Sequence, residues 1–238
     1  MKALAKSITL KRNNENQTQR ITKVSHSPRM IIYLIIKRIF DILVGIIGTA
    51  VVIPLTIVIW ILRKIYKEDD GPLFYEQLRI GKDGKQFRLY KFRSMCMNAD
   101  EKLQTYLDEN PEAKKEYKKY KKLKNDPRIT KTGQFLRATS LDEFPQFFNV
   151  LIGNMSFVGP RPYLPREKEE MTHYEDIVKC KPGVTGWWQV NGRSNTDFET
   201  RNEQDKEYKE KRSIIFDIKI IFMTVAQTIK RKGAFLNL

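Results

Sequence analysis

Residues 30–62 read MIIYLIIKRIFDILVGIIGTAVVIPLTIVIWIL, an almost unbroken apolar run in a chain of 238 residues. A helix that crosses the hydrocarbon core of a bilayer needs roughly 20 apolar residues. Ile42 to Leu62 reach that length without a charge. The run is too long and too far from the N-terminus for a signal peptide, and no cleavage-site pattern follows it. We therefore predict a membrane helix over residues 30–67.

The topology of this helix is left open by the residues alone. Lys and Arg lie on both flanks, at 37–38 and at 63–67. Basic residues favour the cytoplasmic side of a membrane, so a re-entrant helix that enters and leaves by one face fits them better than a spanning helix. Pro54 removes a backbone hydrogen bond and kinks a helix, which makes Ile53–Pro54 a candidate apex. Proline also occurs in true spanning helices.

The charge balance indicates a polyanionic partner, because 44 Lys and Arg face 28 Asp and Glu, a net charge of +16. Nucleic acid, an anionic lipid surface and a phosphorylated substrate all fit. Cys96 and Cys180 form no disulfide framework, and with only His26 and His173 a zinc site is not expected. We expect residues 1–29 to be a basic, flexible tail and residues 68–238 to be a cytosolic catalytic domain.

The stretch TSLDEFPQ, residues 139–146, carries two adjacent acids, Asp142 and Glu143. Such a pair can hold Mg²⁺ or attack phosphorus. The alternative for Glu143 is a capping box with Ser140. Pro145 weakens that alternative, so we predict a helix that opens at Pro145 and ends at Gly153–Asn154. In the GPRP segment at 159–162, two prolines hold Arg161 rigidly, as a phosphate-binding guanidinium requires.

Two further segments are candidates for substrate binding. LFYEQLRI and KQFRLYKFRSM flank an Asp-Gly turn and predict a β-hairpin. Its second strand carries Lys91 and Arg93, which are either phosphate ligands near the acids or a solvated edge. Residues 181–193 form a loop in which stacking and amide groups suit a nucleobase or a sugar; the alternative is a loop folded under its tryptophans. Its candidate ligands are Trp188, Gln189, Asn191 and Arg193.

Two other segments have helical spacing. Residues 99–124 are charge-dense and form either a solvated helix face or a contact with acidic lipid headgroups. Residues 213–229 predict a buried or interface-lying amphipathic helix. The fold class expected is therefore mainly α with a small β-hairpin (α+β), in which a membrane helix and interfacial helices accompany the catalytic core.

Taken together, five motifs resemble the monotopic phosphoglycosyltransferases, the bacterial sugar transferases that start polysaccharide assembly on undecaprenyl phosphate. The resemblance runs from about Ile35 to Gly233. It rests on KRIFD, PLFYEQLRIGKDGKQFRLYKFRSM, DPRITKTGQFLR, SLDEFPQFFNVLIGNMSFVGPRP and KPGVTGWWQVNGR, in that order. A rival reading, a membrane-tethered nucleic-acid-binding protein, has no recognition-fold signature to support it.

The resemblance implies transfer of sugar 1-phosphate from a UDP-sugar to undecaprenyl phosphate with release of UMP, the first membrane step of exopolysaccharide or capsule synthesis. It implies Asp142 as the nucleophile of an aspartyl phosphosugar intermediate, and Mg²⁺ held by Glu143 with Asp142. The expected substrate ligands are Lys91, Arg93, Arg161, Trp188, Gln189, Asn191 and Arg193.

The resemblance also implies a re-entrant helix at the cytoplasmic membrane, although Ile53 replaces the serine of the family's Ser-Pro pair. The catalytic domain would face the cytoplasm and contact membrane lipids. The chain looks like the short, catalytic-core form. Nucleic acid is not an expected partner, and homo-oligomerisation is left open.

Overall fold

The structure is a computed structural model that describes residues 27–120, 123–192 and 196–235. Most of the predicted tail, residues 1–26, lies outside the described residues, as does Arg193. The chain divides into two compact units, residues 1–37 and 38–238. The described part of the first unit, residues 27–37, is almost entirely the beginning of a helix.

The described residues are mainly helical with a small β-hairpin, which confirms the predicted fold class. Short 3₁₀ turns lie at 82–84, 141–143 and 165–170. The helices and strands are, in chain order, α1 (Pro28–Ile65), β1 (Phe74–Ile80), β2 (Gln86–Phe92), α2 (Ala99–Glu109), α3 (Pro111–Tyr120), α4 (Lys131–Thr139), α5 (Gln146–Ile152), β3 (Ser156–Val158), α6 (Tyr174–Ile177), β4 (Gly183–Thr185), α7 (Trp187–Val190), α8 (Phe198–Lys211) and α9 (Ile214–Phe235).

Helix α1 is long and apolar enough, by length and composition, to cross a membrane. It stays helical through Pro54, so no loop interrupts it there. Large apolar side chains are exposed along its length, including Ile47 and Ile53 at 67% each. A soluble surface rarely exposes so much contiguous apolar area. The re-entrant topology stays a prediction.

The part of α1 from residue 38 onward is fixed to α5 by close packing and by polar bonds. A Cβ on Gly45 would lie 3.0 Å from Leu151, and one on Gly48 would lie 2.2 Å from the Phe147 ring. Arg38 donates two 2.8 Å hydrogen bonds to the carbonyls of Val150 and Leu151. These carbonyls end α5, where a cation complements the helix dipole.

Asp41 makes the second polar attachment of α1. It is 2% exposed and accepts bonds from Ser156 Oγ at 3.0 Å and from the Phe157 amide at 2.8 Å. The KRIFD motif therefore holds α1 to both ends of the α5–β3 connection.

The predicted hairpin is confirmed, with β1 antiparallel to β2 and Phe74 opposite Phe92. Its turn uses left-handed backbone at Asp83 and Gly84. Leu89 on β2 is buried against α5, in a cluster with Phe87, Val150 and Met155. Phe92 packs with Ile59 and Leu136, so β2 bridges α1, α4 and α5. The hairpin thereby packs against the helices on both sides of the segment between α4 and α5.

The remaining helices support this centre from two sides. A cluster including Val158, Val190, Tyr208 and Ile220 joins β3 to α7, α8 and α9. Residues 99–120 form two helices broken at Asn110–Pro111, and they share a small core around Leu103, Leu107 and Leu123. Helix α9 confirms the helix predicted over 213–229.

Candidate active site

The acid pair lies in a 3₁₀ turn, Leu141–Glu143, between α4 and α5. Ser140 ends α4 in left-handed backbone, φ 58° and ψ 19°, which a non-glycine residue seldom adopts outside constrained sites. Its side chain makes no capping bond to the turn, so the capping-box alternative for Glu143 is wrong. As predicted, a helix follows Pro145 directly, and it ends at Gly153 with φ 90°.

Lys91 projects from β2 toward the acid turn. Its Nζ lies 2.9 Å from Oε1 of Glu143, and both side chains are about 70% buried, with 26% and 30% of their surfaces exposed. The structure thus brings Lys91 to the acids, which favours the phosphate-ligand interpretation over a solvated edge. A fixed cation there offsets the repulsion between two adjacent carboxylates.

Burial raises the pKa of Asp142 to about 6, and the neighbouring Glu143 adds to that rise. The charges of Lys91 and Arg137 act in the opposite direction and lower it. At neutral pH the carboxylate is mostly ionised. A desolvated yet ionised carboxylate is well suited to act as a nucleophile.

Asp142 lines a cavity of 880 Å³, here called the basic cavity, between the hairpin, α2, α3 and α4. Arg79, Lys91, Arg93, Arg128, Arg137 and Arg166 also line it. Glu76, Asp100 and Glu101 line it as well, so the six cations outnumber the four acids and the cavity attracts anions. A single guanidinium group can bind two phosphate oxygens at once.

Glu143 lines a different cavity of 200 Å³, here called the apolar cavity. Phe144, Phe147, Phe157, Val184 and Val190 contribute its apolar walls, and Gln189, Thr224 and Thr228 contribute polar groups. No Lys or Arg is among its described lining residues. Asp142 therefore lines a basic cavity, and Glu143 lines an apolar one.

Arg93 and Arg161 are both held mainly by other protein groups. Arg93 lines the basic cavity but is bonded to Asp69 and to the Pro72 carbonyl. Arg161 lines neither cavity; its guanidinium lies 5.5 Å from the centre of the Trp188 ring and 3.6 Å from Glu167. Their proposed phosphate roles stay predictions.

The loop after Lys181 folds partly under its tryptophans. The guanidinium groups of Arg161 and Arg201 lie 5.5 and 5.7 Å from the centre of the Trp188 ring. Gln189 donates to the Val184 carbonyl at 3.1 Å, and Asn191 donates to the Trp187 carbonyl at 2.9 Å. Of the predicted ligands in this loop, Gln189 reaches a cavity wall, while Trp188 and Asn191 line neither.

Four arginines of the basic cavity were missed by the sequence reasoning: Arg79, Arg128, Arg137 and Arg166. Arg137 had a local signal, because it lies five residues before Asp142 in the DPRITKTGQFLR motif. Its Nε donates to Ser94 Oγ at 2.8 Å, which orients the guanidinium. Arg79, in β1, donates to the Pro162 carbonyl at 2.9 Å. Its position in a strand of alternating residues does not indicate that contact in the sequence.

The donor set at the acid turn fits a hard divalent cation. Among the residues that the structure describes, no group of three or more His, Cys, Asp or Glu side chains is placed to hold a metal. Mg²⁺ is commonly bound by only one or two carboxylates, and substrate phosphates and water complete its shell. Asp142 and Glu143 supply that number of carboxylates. Cys96 is the one Cys or His among the described residues that line the two cavities.

Comparison with known proteins gives a family match over residues 32–231, to the model described as bacterial sugar transferase. The chain is 46% identical over 203 residues to an undecaprenyl-phosphate galactose phosphotransferase of Salmonella typhimurium, which covers 84% of this chain and 42% of that protein. It is 39% identical over 213 residues to a UDP-glucose:undecaprenyl-phosphate glucose-1-phosphate transferase of Escherichia coli, with the same two shares.

A shorter relative is matched over most of its length. This is an exopolysaccharide production protein of Sinorhizobium fredii, 38% identical over 200 residues, which cover 84% of this chain and 88% of that protein. The chain thus spans about two fifths of the two longer relatives and nearly all of the shorter one.

Proposed function

Since this chain belongs to the bacterial sugar transferase family, we propose that it transfers sugar 1-phosphate from a UDP-sugar to undecaprenyl phosphate. The observation that supports this most directly is the position of Asp142, an ionised carboxylate in the wall of a cavity where six cations outnumber three other acids. A nucleoside diphosphate is the kind of anion that such a cavity attracts. The product would be undecaprenyl-diphosphate-sugar, at the start of exopolysaccharide or capsule synthesis.

In the first half-reaction, a carboxylate oxygen of Asp142 attacks the phosphorus that carries the sugar. The new O–P bond forms as the bond from that phosphorus to the bridging oxygen breaks, and the bridging oxygen leaves on UMP with the electron pair. Arg137 and Lys91, whose charges act on Asp142, would stabilise the negative charge that develops on the phosphoryl oxygens.

In the second half-reaction, a phosphate oxygen of undecaprenyl phosphate attacks the same phosphorus. The Asp142–phosphorus bond breaks and the carboxylate is regenerated. No proton needs to be removed from the attacking group, because the lipid phosphate is already ionised at neutral pH. This accounts for a site with no histidine among the described cavity-lining residues.

Mg²⁺ is part of this proposal, with Asp142 and Glu143 as its protein ligands. When bound, it would supply positive charge to the diphosphate oxygens.

We also place the enzyme at the cytoplasmic membrane, with its catalytic part on the cytoplasmic side. The exposed apolar surface of α1 supports a position in lipid. Helix α9 supports a position at the lipid surface, because Ile215 and Phe222 on one of its faces are 82% and 71% exposed.

The test is UMP release by the purified protein in detergent, with undecaprenyl phosphate, Mg²⁺ and a panel of UDP-sugars. We expect release with at least one UDP-sugar, none without Mg²⁺, and loss of at least about three orders of magnitude in Asp142→Asn. The matched control is Asp108→Asn on α2, an exposed acid outside both cavity linings. Full activity of Asp142→Asn would exclude Asp142 as the nucleophile.

A further inference from the structure

We propose that Arg79 binds the diphosphate of the UDP-sugar, and that the GPRP segment is the rigid support that aims its guanidinium group. This inference rests on the proposed function and adds a substrate-binding residue to it. It also changes the role of the GPRP segment, because the carbonyl of Pro162, rather than the guanidinium of Arg161, then acts toward the site.

The six cations of the basic cavity fall into two groups. Three are paired with acids: Lys91 with Glu143 at 2.9 Å, Arg93 with Asp69, and Arg128 with Asp126 at 2.7 Å. The three that make no ion pair with a described acid are Arg79, Arg137 and Arg166. Of these three, Arg79 alone is partly buried, and the other two are exposed to water.

Arg79 carries a charge that its protein neighbours do not neutralise. Burial lowers its pKa to about 10, and the nearby charge of Arg161 acts in the same direction. Its Nε is buried with no hydrogen-bond partner among the described atoms. A desolvated cation without a paired acid destabilises a folded protein, and an anionic ligand would offset that cost.

The acids nearest to Arg79 are engaged with other groups. Glu167 and Glu143 both favour the charged form of Arg79. Glu167, however, accepts a 2.6 Å hydrogen bond from the Leu164 amide, and Glu143 is in an ion pair with Lys91. The guanidinium of Arg79 is therefore left for an anion from outside the protein.

Two uncharged acceptors hold the guanidinium of Arg79 in place. Its Nη1 donates to the carbonyl of Pro162 at 2.9 Å, and its Nη2 donates to Oε1 of Gln77. An arginine has five N–H donors, so these two bonds leave donors for phosphate oxygens. The group is thus oriented without losing its charge.

The backbone that carries the Pro162 carbonyl is itself fixed. The amide of Arg161 and the hydroxyl of Tyr163 both donate to Oδ2 of buried Asp205, at 3.0 and 2.8 Å. The carbonyl of Tyr163 accepts a 2.9 Å bond from the last amide of β1. Pro162 lies between these two bonded residues, and its ring restricts φ. The segment therefore presents its carbonyl to β1 with little freedom to move.

Arg79 also lies where the substrate diphosphate must pass. Arg79 and Asp142 line the same cavity, and the charge of Glu143 acts on Arg79. In the first half-reaction, the phosphorus that carries the sugar meets Asp142. The diphosphate then lies along the wall of this cavity, where a guanidinium can bind two of its oxygens and hold it during the attack.

The test compares Arg79→Gln with Arg88→Gln in the purified protein in detergent. Glutamine removes the charge but keeps an amide donor for the Pro162 carbonyl. Arg88 is the matched control, because it lies in the same hairpin, is 70% exposed and lines neither cavity. Arg79→Lys and Arg161→Gln complete the set.

Three quantities are measured for each variant. They are the Kd for UDP with Mg²⁺ by calorimetry, the temperature of unfolding without ligand, and the exchange of labelled UMP into UDP-sugar without lipid, with its KM for UDP-sugar.

We expect Arg79→Gln to weaken UDP binding at least about tenfold and to raise the KM for UDP-sugar in parallel. Without ligand it should unfold at or above the temperature of wild type, because an unpaired, desolvated charge is removed. Arg79→Lys keeps the charge and should recover part of the affinity. Arg88→Gln should bind UDP within twofold of wild type.

A purely structural role for Arg79 predicts the reverse pattern. Arg79→Gln would then unfold at a lower temperature, while the folded protein bound UDP as wild type does. An unchanged Kd in Arg79→Gln would overturn the proposal. A larger loss of UDP affinity in Arg161→Gln than in Arg79→Gln would also overturn it, since the guanidinium of Arg161 would then be the phosphate ligand.

Failure of the proposed function gives a different result. If wild type releases no UMP from any UDP-sugar, calorimetry with UDP still decides whether Arg79 binds a diphosphate. If wild type releases UMP and Arg79→Gln binds UDP equally well, the proposed function stands and the role of Arg79 is refuted. A wild-type protein that does not bind UDP in the presence of Mg²⁺ would refute that role as well.

Discussion

Replacing Asp142, the proposed nucleophile, should make this protein more stable while it abolishes activity. In Asp142→Asn the buried charge is removed from a site that raises the pKa of that carboxyl from 3.8 to about 6. A shift of about 2 pKa units corresponds to about 3 kcal/mol. Because Asp142 keeps some solvent contact, we expect a gain of about 1–3 kcal/mol in the free energy of unfolding near pH 7.5.

The pH dependence of this gain has a definite sign. The folded state raises the pKa, so ionised Asp142 costs stability above about pH 6, and the cost vanishes below the ordinary pKa of 3.8. The difference between wild type and Asp142→Asn should fall to about half at pH 5. Its origin is desolvation first and the charge of Glu143 second.

The assay is thermal or denaturant unfolding in detergent. A metal chelator is present so that no bound metal stabilises wild type. The control is Asp108→Asn, where Gln104 and Lys114 lower the pKa, so that no gain in stability is expected. The reasoning is refuted if Asp142→Asn is no more stable than wild type at pH 7.5. It is also refuted if the difference grows on acidification.

Three further outcomes are expected. The rate of the first half-reaction should fall about tenfold per pH unit below the pKa of Asp142, which is about 6 without metal and is lowered by bound Mg²⁺, and a UMP-exchange profile with no acidic limb would contradict this. Lys91→Met should slow UMP exchange and move that acidic limb to higher pH, because Lys91 lowers the pKa of Asp142; an unmoved limb would count against the assignment. Arg38→Ala should lower the free energy of unfolding by about 1.5–3 kcal/mol, because two charged hydrogen bonds are lost. Arg38→Lys should restore only part of that stability, and equal stability of Arg38→Ala and wild type would disprove the prediction.

Local patterns predicted the parts of the fold that depend on short-range chemistry. The Asp-Gly turn and alternating strands predicted the hairpin, and Pro145 with Gly153 bounded α5. In each case the residue types that set the backbone lie within a few positions of the element they control. The sequence predicted Lys91 near the acids only as one of two alternatives. The register of two paired strands does not tell which face of the hairpin meets the active site.

Long-range pairings could not be predicted from the sequence. Arg38 reads as a cytoplasmic flanking charge, yet its guanidinium bonds carbonyls more than 110 residues away. Arg93 reads as a phosphate ligand, yet Asp69 engages it. A positive side chain looks the same in the sequence whether it meets lipid, a helix end, a carboxylate or substrate. Only the tertiary fold assigns these partners.

The attachment of α1 to α5 by glycine packing and by Arg38 has a consequence for the depth at which the chemistry takes place. Helix α5 begins three residues after Glu143, and its far end carries the carbonyls that Arg38 binds. If α1 lies in lipid, as proposed, this attachment would hold the acid turn at a set elevation above the bilayer. A lipid phosphate also has a set elevation, because its tail anchors it. In the proposed reaction, the protein and its lipid acceptor would thus be brought to one plane before they meet, and the search for the reactive geometry would be reduced to lateral diffusion and rotation.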